Sequence, residues 1–391
     1  MKGMTDKERI LAALHREPVD RIPFMHWWRH FPRGSVEREV RNRGMGLCVS
    51  LPCFLESRPN VEVTQSSGYT GGGKVVKFTY HTPQGSVSEL FKTGVGWGSG
   101  IMGRDFKGLT PWRVSPDEGG RMVKKPDDYD IVRFMVEDTH YEPYYQALKD
   151  FQGYLGDDGI AVTSLPYTPF QRIAIDFVGQ ARLYIDYARH REKVESLYKS
   201  LVEKTRELYP LAADAPVDFV NYGDNIDGVL VNPRFFEKYY APNYNEAVRI
   251  LHSADKIVGS HMDGRLKVLA EAIAKTELDV IEAFTPPPIG DLSVGEALAL
   301  WKDKVLWINY PSSVYTSGGP DAVKRHLLQI LISAIPGDRI IIAASTENYV
   351  PLEILKAITD VMENAVYPFS QRGLNPSRPH RTFDEHEGFA D

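Results

Sequence analysis

The stretch Lys256-Ile257-Val258-Gly259-Ser260-His261-Met262-Asp263-Gly264 is a short apolar run that ends at polar side chains, and a helical stretch follows it. Four further runs in the second half of the chain share this pattern and also alternate with helical stretches. Short β-branched runs bounded by turn residues are typical of buried parallel strands, and their alternation with helices predicts βαβ units. The four further runs are residues 217–222, 278–282, 304–310 and 339–348.

This pattern predicts an α/β protein built as a (β/α)8 TIM barrel, whose site lies at the carboxyl ends of the strands. Residues 21–28 and 159–164 supply two more strands, which makes seven, and residues 47–51 are one candidate for the eighth. Short strands separated by Gly and Pro predict an antiparallel β insertion near residues 60–110.

Helices are expected between the strands. Thr5 followed by Glu8 is a capping-box pattern ahead of an apolar helix. Helical periodicity predicts further helices around residues 141–151 and over residues 183–208.

Size and composition are those of a soluble globular protein. The 391 residues carry a net charge of −6 and no run of Lys or Arg, which argues against nucleic acid as the main partner. No stretch resembles a signal peptide or a membrane span, so we expect a cytoplasmic protein with no membrane partner. Cys48 and Cys53 fit neither a thioredoxin motif nor a common zinc knuckle and are expected to be free thiols. We expect one barrel domain over residues 1–374 and a polar tail over residues 375–391.

His261 and Asp263 are the sharpest candidates for chemistry. His261 ends a predicted strand and Asp263 lies two residues further on, so an imidazole and a carboxylate can converge on a divalent metal ion. A bound metal would polarise an ether or carbonyl oxygen, or activate water. The alternative is that His261 hydrogen-bonds the loop while Asp263 caps the next helix.

Polar side chains also follow other predicted strands. Glu347 is expected to point into the same mouth as His261, or to act as a helix-entry carboxylate stabilised by the helix dipole. Asp224 and Asn225 are expected to bind polar groups of a substrate or to orient His261, although Asn225 is equally suited to turn hydrogen bonds. Glu282 also lies at the mouth, where we expect it to do no more than accept hydrogen bonds from the backbone.

Aromatic side chains are expected around the mouth, where stacking suits a planar ligand. The alternative is that these rings fill the core under the insertion, because pockets and cores use the same residue types. The candidate substrate-binding residues are His26, Trp27, Arg29, Tyr167, Asn225 and Tyr310.

Motifs along nearly the whole chain resemble the uroporphyrinogen decarboxylase superfamily. They are residues 7–14, 18–23, 81–87, 223–225, 261–264 and 345–351. The resemblance implies a single (β/α)8 barrel and one of two chemistries. One is cofactor-free decarboxylation of uroporphyrinogen, and the other is methyl transfer to or from a corrinoid carried on a separate protein.

Departures from the family motifs favour the methyl-transfer branch. The decarboxylases carry an early Arg-Gln-Ala-Gly-Arg-Tyr segment, whereas residues 26–33 here keep only Arg29 and Arg33 as matching charges. A substrate with eight carboxylates requires several fixed guanidinium groups. The methyltransferases hold zinc with His-x-Cys and a later Cys, and this chain has Asp263 in place of the first Cys.

The implied metal site is therefore Zn²⁺ on His261 and Glu347, together with Asp263. Oxygen ligands leave the metal a harder Lewis acid than sulfur ligands do, which suits a small methyl donor such as an aryl methyl ether. Our hypothesis is an O-demethylase component that acts with a corrinoid protein, in which the metal withdraws charge from the ether oxygen. Protonation of the leaving phenolate by Glu347 or Asp224 is the alternative to this role of the metal. The resemblance also implies a homodimer. A cofactor-free decarboxylase and a catalytically silent ligand-binding barrel are the alternatives.

Overall fold

Eight parallel strands close into a ring in the computed structural model, which describes residues 3–28, 34–70, 73–93, 109–113, 120–344 and 350–369. With all strands numbered in chain order, the order around the ring is β1 (Phe24–Trp27), β14 (Ile340–Ala343), β13 (Val305–Asn309), β12 (Val280–Phe284), β11 (Ile257–His261), β10 (Phe219–Tyr222), β9 (Gly159–Leu165) and β2 (Met45–Ser50). The predicted TIM barrel is confirmed, and the eighth strand is the candidate at residues 47–51.

Helices surround this ring, as the alternating pattern predicts. They are α1 (Asp6–Leu14), α2 (Ser35–Asn42), α3 (Asp128–Glu137), α4 (Gln146–Leu155), α5 (Pro169–Arg172), α6 (Gln180–Arg189), α7 (Arg191–Arg206), α8 (Leu208–Ala213), α9 (Pro233–Phe235), α10 (Ala241–His252), α11 (Ala270–Ala274), α12 (Val294–Leu300), α13 (Ser312–Ser333) and α14 (Leu352–Met362). Short π-helical turns at Ile173–Val178 and Phe236–Tyr240 and a 3₁₀ turn at Lys267–Leu269 complete the set in the described ranges. None of the helices placed there is long and apolar enough to cross a bilayer.

Two helix predictions differ from the structure in detail. The helix predicted over residues 183–208 is broken at His190, whose φ of −136° and ψ of 43° are not helical, so α6 and α7 are separate. The helix predicted around residues 141–151 starts only at Gln146, because His140–Pro143 pairs as a strand. In that case strand pairing with a distant segment overrides local periodicity.

The predicted antiparallel insertion is confirmed between β2 and α3. Its strands are β4 (Glu62–Thr70), β5 (Gly73–Thr82), β6 (Gly85–Thr93) and β7 (Leu109–Arg113), which form one sheet in chain order. A second, two-stranded sheet joins β3 (Phe54–Ser57) to β8 (His140–Pro143). Phe78 and Phe91 meet edge to face at 5.6 Å on the buried face of the larger sheet.

Strand alternation sorts side chains between the barrel interior and the outer helical layer. On β1, Met25 and Trp27 belong to the interior cluster, whereas Phe24 belongs to the cluster under the helices. Trp27 stacks on Trp307 of β13 with ring centres 5.6 Å apart. Phe219 packs on the other side of Trp307, also at 5.6 Å. Large rings thus fill the middle of the barrel.

The amino-terminal end of the barrel is covered by α1. The predicted capping box of Thr5 and Glu8 is present. Ile10 and Leu14 join the interior cluster and close this end with apolar surface. Because this end is closed, the polar groups at the carboxyl ends of the strands are the candidates for a functional site.

Candidate functional site

Three neighbouring strands bring polar side chains to the interior at their carboxyl ends. Phe219 of β10 and Ile257 of β11 face the barrel interior. Asn221 lies two residues after Phe219 and His261 lies four residues after Ile257, so strand alternation turns both side chains inward as well. His261 is directly opposite Glu282 in the register of β11 and β12. Parallel strand pairing therefore assembles this group from separate βα units.

The central contact of the site is a hydrogen bond between His261 and Glu282. His261 Nδ1 lies 2.6 Å from Glu282 Oε2, and the same oxygen accepts a bond of 3.1 Å from Asn221 Nδ2. Glu282 is only 2% exposed. Within the described residues, Glu282 Oε1 and Asn221 Oδ1 have no hydrogen-bond partner although both atoms are buried. Glu282 accepts these bonds from side chains, so backbone bonds are not its role.

Asp263 approaches the other nitrogen of the same imidazole. Its Oδ2 lies 3.4 Å from His261 Nε2, and both side chains keep roughly a quarter of their surface exposed, 24% for His261 and 23% for Asp263. Burial by itself lowers the pKa of His261, but the carboxylates of Glu282 and Asp263 outweigh it and hold this pKa well above its usual value. Burial raises the pKa of Asp263, but the hydrogen bond to His261 and the attraction of its charge together outweigh burial, and the net shift of this pKa is downward.

The pair His261 and Asp263 fits two positions of a metal site. Ligand atoms at the usual zinc distances of about 2.0–2.2 Å lie about 3.3 Å apart at two corners of a tetrahedron, close to the 3.4 Å between His261 Nε2 and Asp263 Oδ2. Glu282 on Nδ1 is also the arrangement that commonly orients a metal-binding histidine. No group of three or more His, Cys, Asp and Glu residues with metal-binding geometry occurs in the described part of the chain.

Asp224 is placed beside this group but is enclosed. Its Oδ1 accepts bonds from the Thr168 backbone N–H at 2.6 Å and from the Thr168 hydroxyl at 3.2 Å, and its Oδ2 accepts from the Tyr244 hydroxyl. Asp224 is fully buried. Burial raises its pKa to about 7 against the opposing effect of these hydrogen bonds. The residue joins the loop after β9 to the loop after β10 and to α10.

The other predicted residues on the neighbouring loops are more exposed. Asn225 is exposed, and its backbone N–H and C=O bond the Gln171 side chain at 2.8 and 2.7 Å. Tyr167 is partly exposed on the loop between β9 and α5. Both lie at the carboxyl end of the barrel, where a substrate would enter.

The predicted aromatic group is divided between two layers of the fold. Trp27 faces the barrel interior on Trp307, whereas strand alternation places His26 on the outer face with Phe24. Tyr310 is fully buried, and its hydroxyl donates to Val323 O of α13 at 3.2 Å. The structure therefore does not bring His26 and Tyr310 to the interior group around His261.

Two predicted residues, Arg29 and Glu347, lie outside the described residues, as does the tail at 375–391. Their roles stay predictions.

The sequence pattern does not identify two residues of the site, Asn221 and Glu282, as chemical groups. Asn221 is a polar residue at an inward position of an otherwise apolar strand, and a polar residue at such a position is the sequence signal that indicates a site residue. The sequence places Glu282 at the mouth, but its bond to His261 depends on the register between β11 and β12.

Comparison with known proteins shows the fold. No protein-family model matches the sequence, and no curated protein sequence matches it. A solved structure described as a methyltransferase from Methanosarcina mazei is similar, with a TM-score of 0.54, 16% sequence identity, and coverage of 92% of this chain and 98% of that chain. At this identity the likeness shows a shared barrel fold alone.

Two glycoside-cleaving enzymes are similar only at a level that carries no argument. A mutant of xylanase A from P fluorescens subsp. cellulosa in complex with xylopentaose has a TM-score of 0.32 and 14% identity, and covers 56% of this chain and 84% of its own. A GH5-4 broad-specificity endoglucanase from an uncultured bacterium has a TM-score of 0.34 and 10% identity, and covers 69% and 94%.

Proposed function

We propose that this protein is a methyltransferase that moves a methyl group from a small methylated substrate, an aryl methyl ether, to the cobalt of a separate corrinoid protein. The observation that carries the proposal is the line Glu282–His261–Asp263 at the carboxyl ends of the strands. Motif resemblance to the uroporphyrinogen decarboxylase superfamily and the fold shared with a methyltransferase support it.

In this proposal His261 Nε2 and Asp263 hold a divalent metal ion, Zn²⁺ by resemblance, and Glu347 is the predicted further ligand. When bound, the metal would supply a Lewis acid for the ether oxygen. Glu282 fixes the orientation of the imidazole through Nδ1, because a carboxylate there leaves Nε2 as the free ligand atom. Asn221 holds Glu282 in place from β10, on the far side of β11.

Proton transfer to the leaving oxygen needs a group that reaches the substrate. Both carboxyl oxygens of Asp224 already accept hydrogen bonds, one from Thr168 and one from Tyr244. We therefore assign Asp224 a structural role, in which it joins the loops after β9 and β10 to α10. Proton donation by Glu347 is the alternative to its role as a metal ligand, because a metal-bound carboxylate is already deprotonated. With Glu347 on the metal, the phenolate oxygen takes its proton from solvent. In the overall reaction the oxygen–methyl bond breaks, a cobalt–carbon bond forms, and the phenolate oxygen takes up a proton.

The test uses purified protein, Zn²⁺, methoxybenzene-type donors and free cob(I)alamin, with methylcobalamin formation followed by absorbance. We expect His261→Ala to lower both zinc content and transfer by at least about 100-fold, because loss of an orienting partner alone typically costs 10–100-fold. His252→Ala is the matched control, since His252 is 46% exposed and pairs with Asp279 before β12.

Transfer by His261→Ala at near the wild-type rate would contradict the metal role. Release of CO2 from a carboxylated substrate by metal-free protein would instead identify a decarboxylase. Protein purified without bound metal that turns over no donor would identify a silent barrel.

A further inference from the structure

One face of α6 is apolar and exposed, next to the rim of the barrel. Ala181, Ile185 and Ala188 are exposed and spaced four and three residues apart, so they form one stripe along the helix. Ile185 is 49% exposed. The opposite face of the helix, with Leu183 and Asp186, is buried. The stripe is therefore additional to the face that packs α6 on the protein.

Exposed apolar residues of two rim loops continue this stripe. Val229 and Leu230 after β10 are 68% and 44% exposed, and Val268 after β11 is 56% exposed. Gln180 Nε2 and Tyr184 Oη of α6 both donate to Leu230 O, at 2.8 and 2.6 Å. The Val268 side chain reaches the backbone of Gly228, where an added Cβ would lie 2.4 Å from Val268 Cγ1. We call Ala181, Ile185, Ala188, Val229, Leu230 and Val268 the α6 rim patch.

Backbone hydrogen bonds join the α6 rim patch to the candidate site. Gly228 N donates to Arg265 O at 2.8 Å, and Gly264 N donates to Ile226 O at 3.2 Å. Ile226 N in turn donates to His261 O at 3.4 Å. The loops that present Val229 and Val268 are thus the loops that flank His261 and Asp263, which places the patch beside the mouth of the barrel.

Positive charges predominate around the α6 rim patch. Arg189, Arg234 and Arg265 are exposed and form no ion pair within the described residues. Of the carboxylates close by, Asp186 pairs with Arg182, whereas Asp227, which accepts from the Val229 backbone N–H, and the exposed Glu271 keep their charges. The three arginines outnumber these two carboxylates. A second copy of the chain would bring like charges together, which is unfavourable, whereas an acidic partner is complementary.

We infer that the α6 rim patch docks an acidic protein that carries the methyl acceptor to the barrel mouth. This inference rests on the proposed function, because a methyl acceptor held on another protein must reach the mouth beside His261. An apolar centre with a charged rim is the usual anatomy of such an interface. The arginines steer the acidic carrier, and the apolar stripe supplies the contact area.

The experiment compares two acceptors, free cob(I)alamin and a purified, negatively charged corrinoid-binding protein loaded with cobalamin. For Ile185→Glu and Val229→Glu we expect KM for the protein carrier to rise at least about tenfold, while kcat/KM for free cob(I)alamin stays within about twofold. Leu300→Glu is the matched control, since Leu300 is 47% exposed at the end of α12. Arg189→Glu should raise the carrier KM and weaken its dependence on salt.

Each other outcome overturns the inference. An unchanged carrier KM shows that the patch is not the docking surface, and equal losses with both acceptors show that it only supports the site. A smaller sedimenting mass for Ile185→Glu than for wild type shows that the patch joins two copies of this chain. If the wild-type protein transfers no methyl group to either acceptor, the proposed function is contradicted together with this inference. If it transfers methyl groups to both acceptors and no variant changes the carrier KM, only this inference is contradicted.

Discussion

His261 and Glu282 lie directly opposite each other on β11 and β12, and a 2.6 Å hydrogen bond joins Nδ1 of the first to Oε2 of the second. The bond fixes the imidazole ring and leaves Nε2 facing Asp263. The Glu282 carboxylate is only 2% exposed, and the same oxygen also accepts a hydrogen bond from Asn221. The pair therefore fixes the orientation of a strand-end histidine, which is what the proposed metal site requires.

Replacement of Glu282 by Gln should weaken this orientation. The amide keeps the shape but removes the negative charge that favours the donor proton on Nδ1, so we expect zinc affinity and methyl transfer to fall by about 10–100-fold. Zinc titration monitored by calorimetry checks the affinity. Glu277→Gln is the control, since Glu277 pairs with Arg249 on the surface. Wild-type affinity in Glu282→Gln would show that the bond does not serve a metal ligand.

Asp224 makes folding stability depend on pH in a defined direction. Burial raises its pKa to about 7 from an ordinary value of 3.8. Between these values the unfolded chain has lost the proton that the folded protein keeps, so the unfolding free energy falls as pH rises. Asp224→Asn removes this pH dependence. The unfolding free energy of the variant relative to wild type should therefore rise by up to about 1.4 kcal/mol for each pH unit between 4 and 7.

Urea unfolding of both proteins at several pH values measures this difference. Asp218→Asn, at an exposed carboxylate next to β10, reports the effect of a lost charge alone. A difference between Asp224→Asn and wild type that does not grow with pH would mean that the pKa of Asp224 is not raised.

Gly259 is required by the packing of the barrel interior. A Cβ at this position would lie 2.7 Å from Phe219 Cζ and 3.1 Å from Val280 O. We expect Gly259→Ala to lower the unfolding free energy by about 1–3 kcal/mol, as overpacking of a core does. Gly68→Ala is the control, because an added Cβ there meets no atom within 4 Å.

A second substitution makes the Gly259 test specific. Phe219→Leu removes the ring that the new methyl group meets, so the double variant should lose less stability than the sum of the single changes. Strict additivity would show that the contact with Phe219 is not the cause.

Trp307 is the main filler of the barrel interior. It is fully buried between Trp27 and Phe219. We expect Trp307→Ala to lower the unfolding free energy by about 3–5 kcal/mol because it leaves a cavity between rigid strands. Leu300→Ala, at a residue that is 47% exposed, should change it by less than about 0.5 kcal/mol. Similar small losses for both variants would mean that the interior collapses around the missing ring.

The sequence alone determined the strands of the barrel, their parallel arrangement and the end of the barrel where polar groups gather. Each depends on local signals, namely apolar runs, turn residues and the polar residue that ends each run. His261 and Asp263 could be selected for the same reason, since two residues of one loop stay close in any fold. The strand at residues 140–143 was missed because its pairing partner is some 85 residues earlier in the chain, at residues 54–57.

Only the tertiary structure decided which side chains meet. The bond from Asn221 to Glu282 spans 61 residues and that from His261 spans 21, and both depend on the register of strands in a closed ring. The same closure turned Trp27 inward and His26 outward, although the two are adjacent in the sequence. A shift of one residue in register exchanges the two faces of a strand, so sequence pattern alone does not establish such contacts.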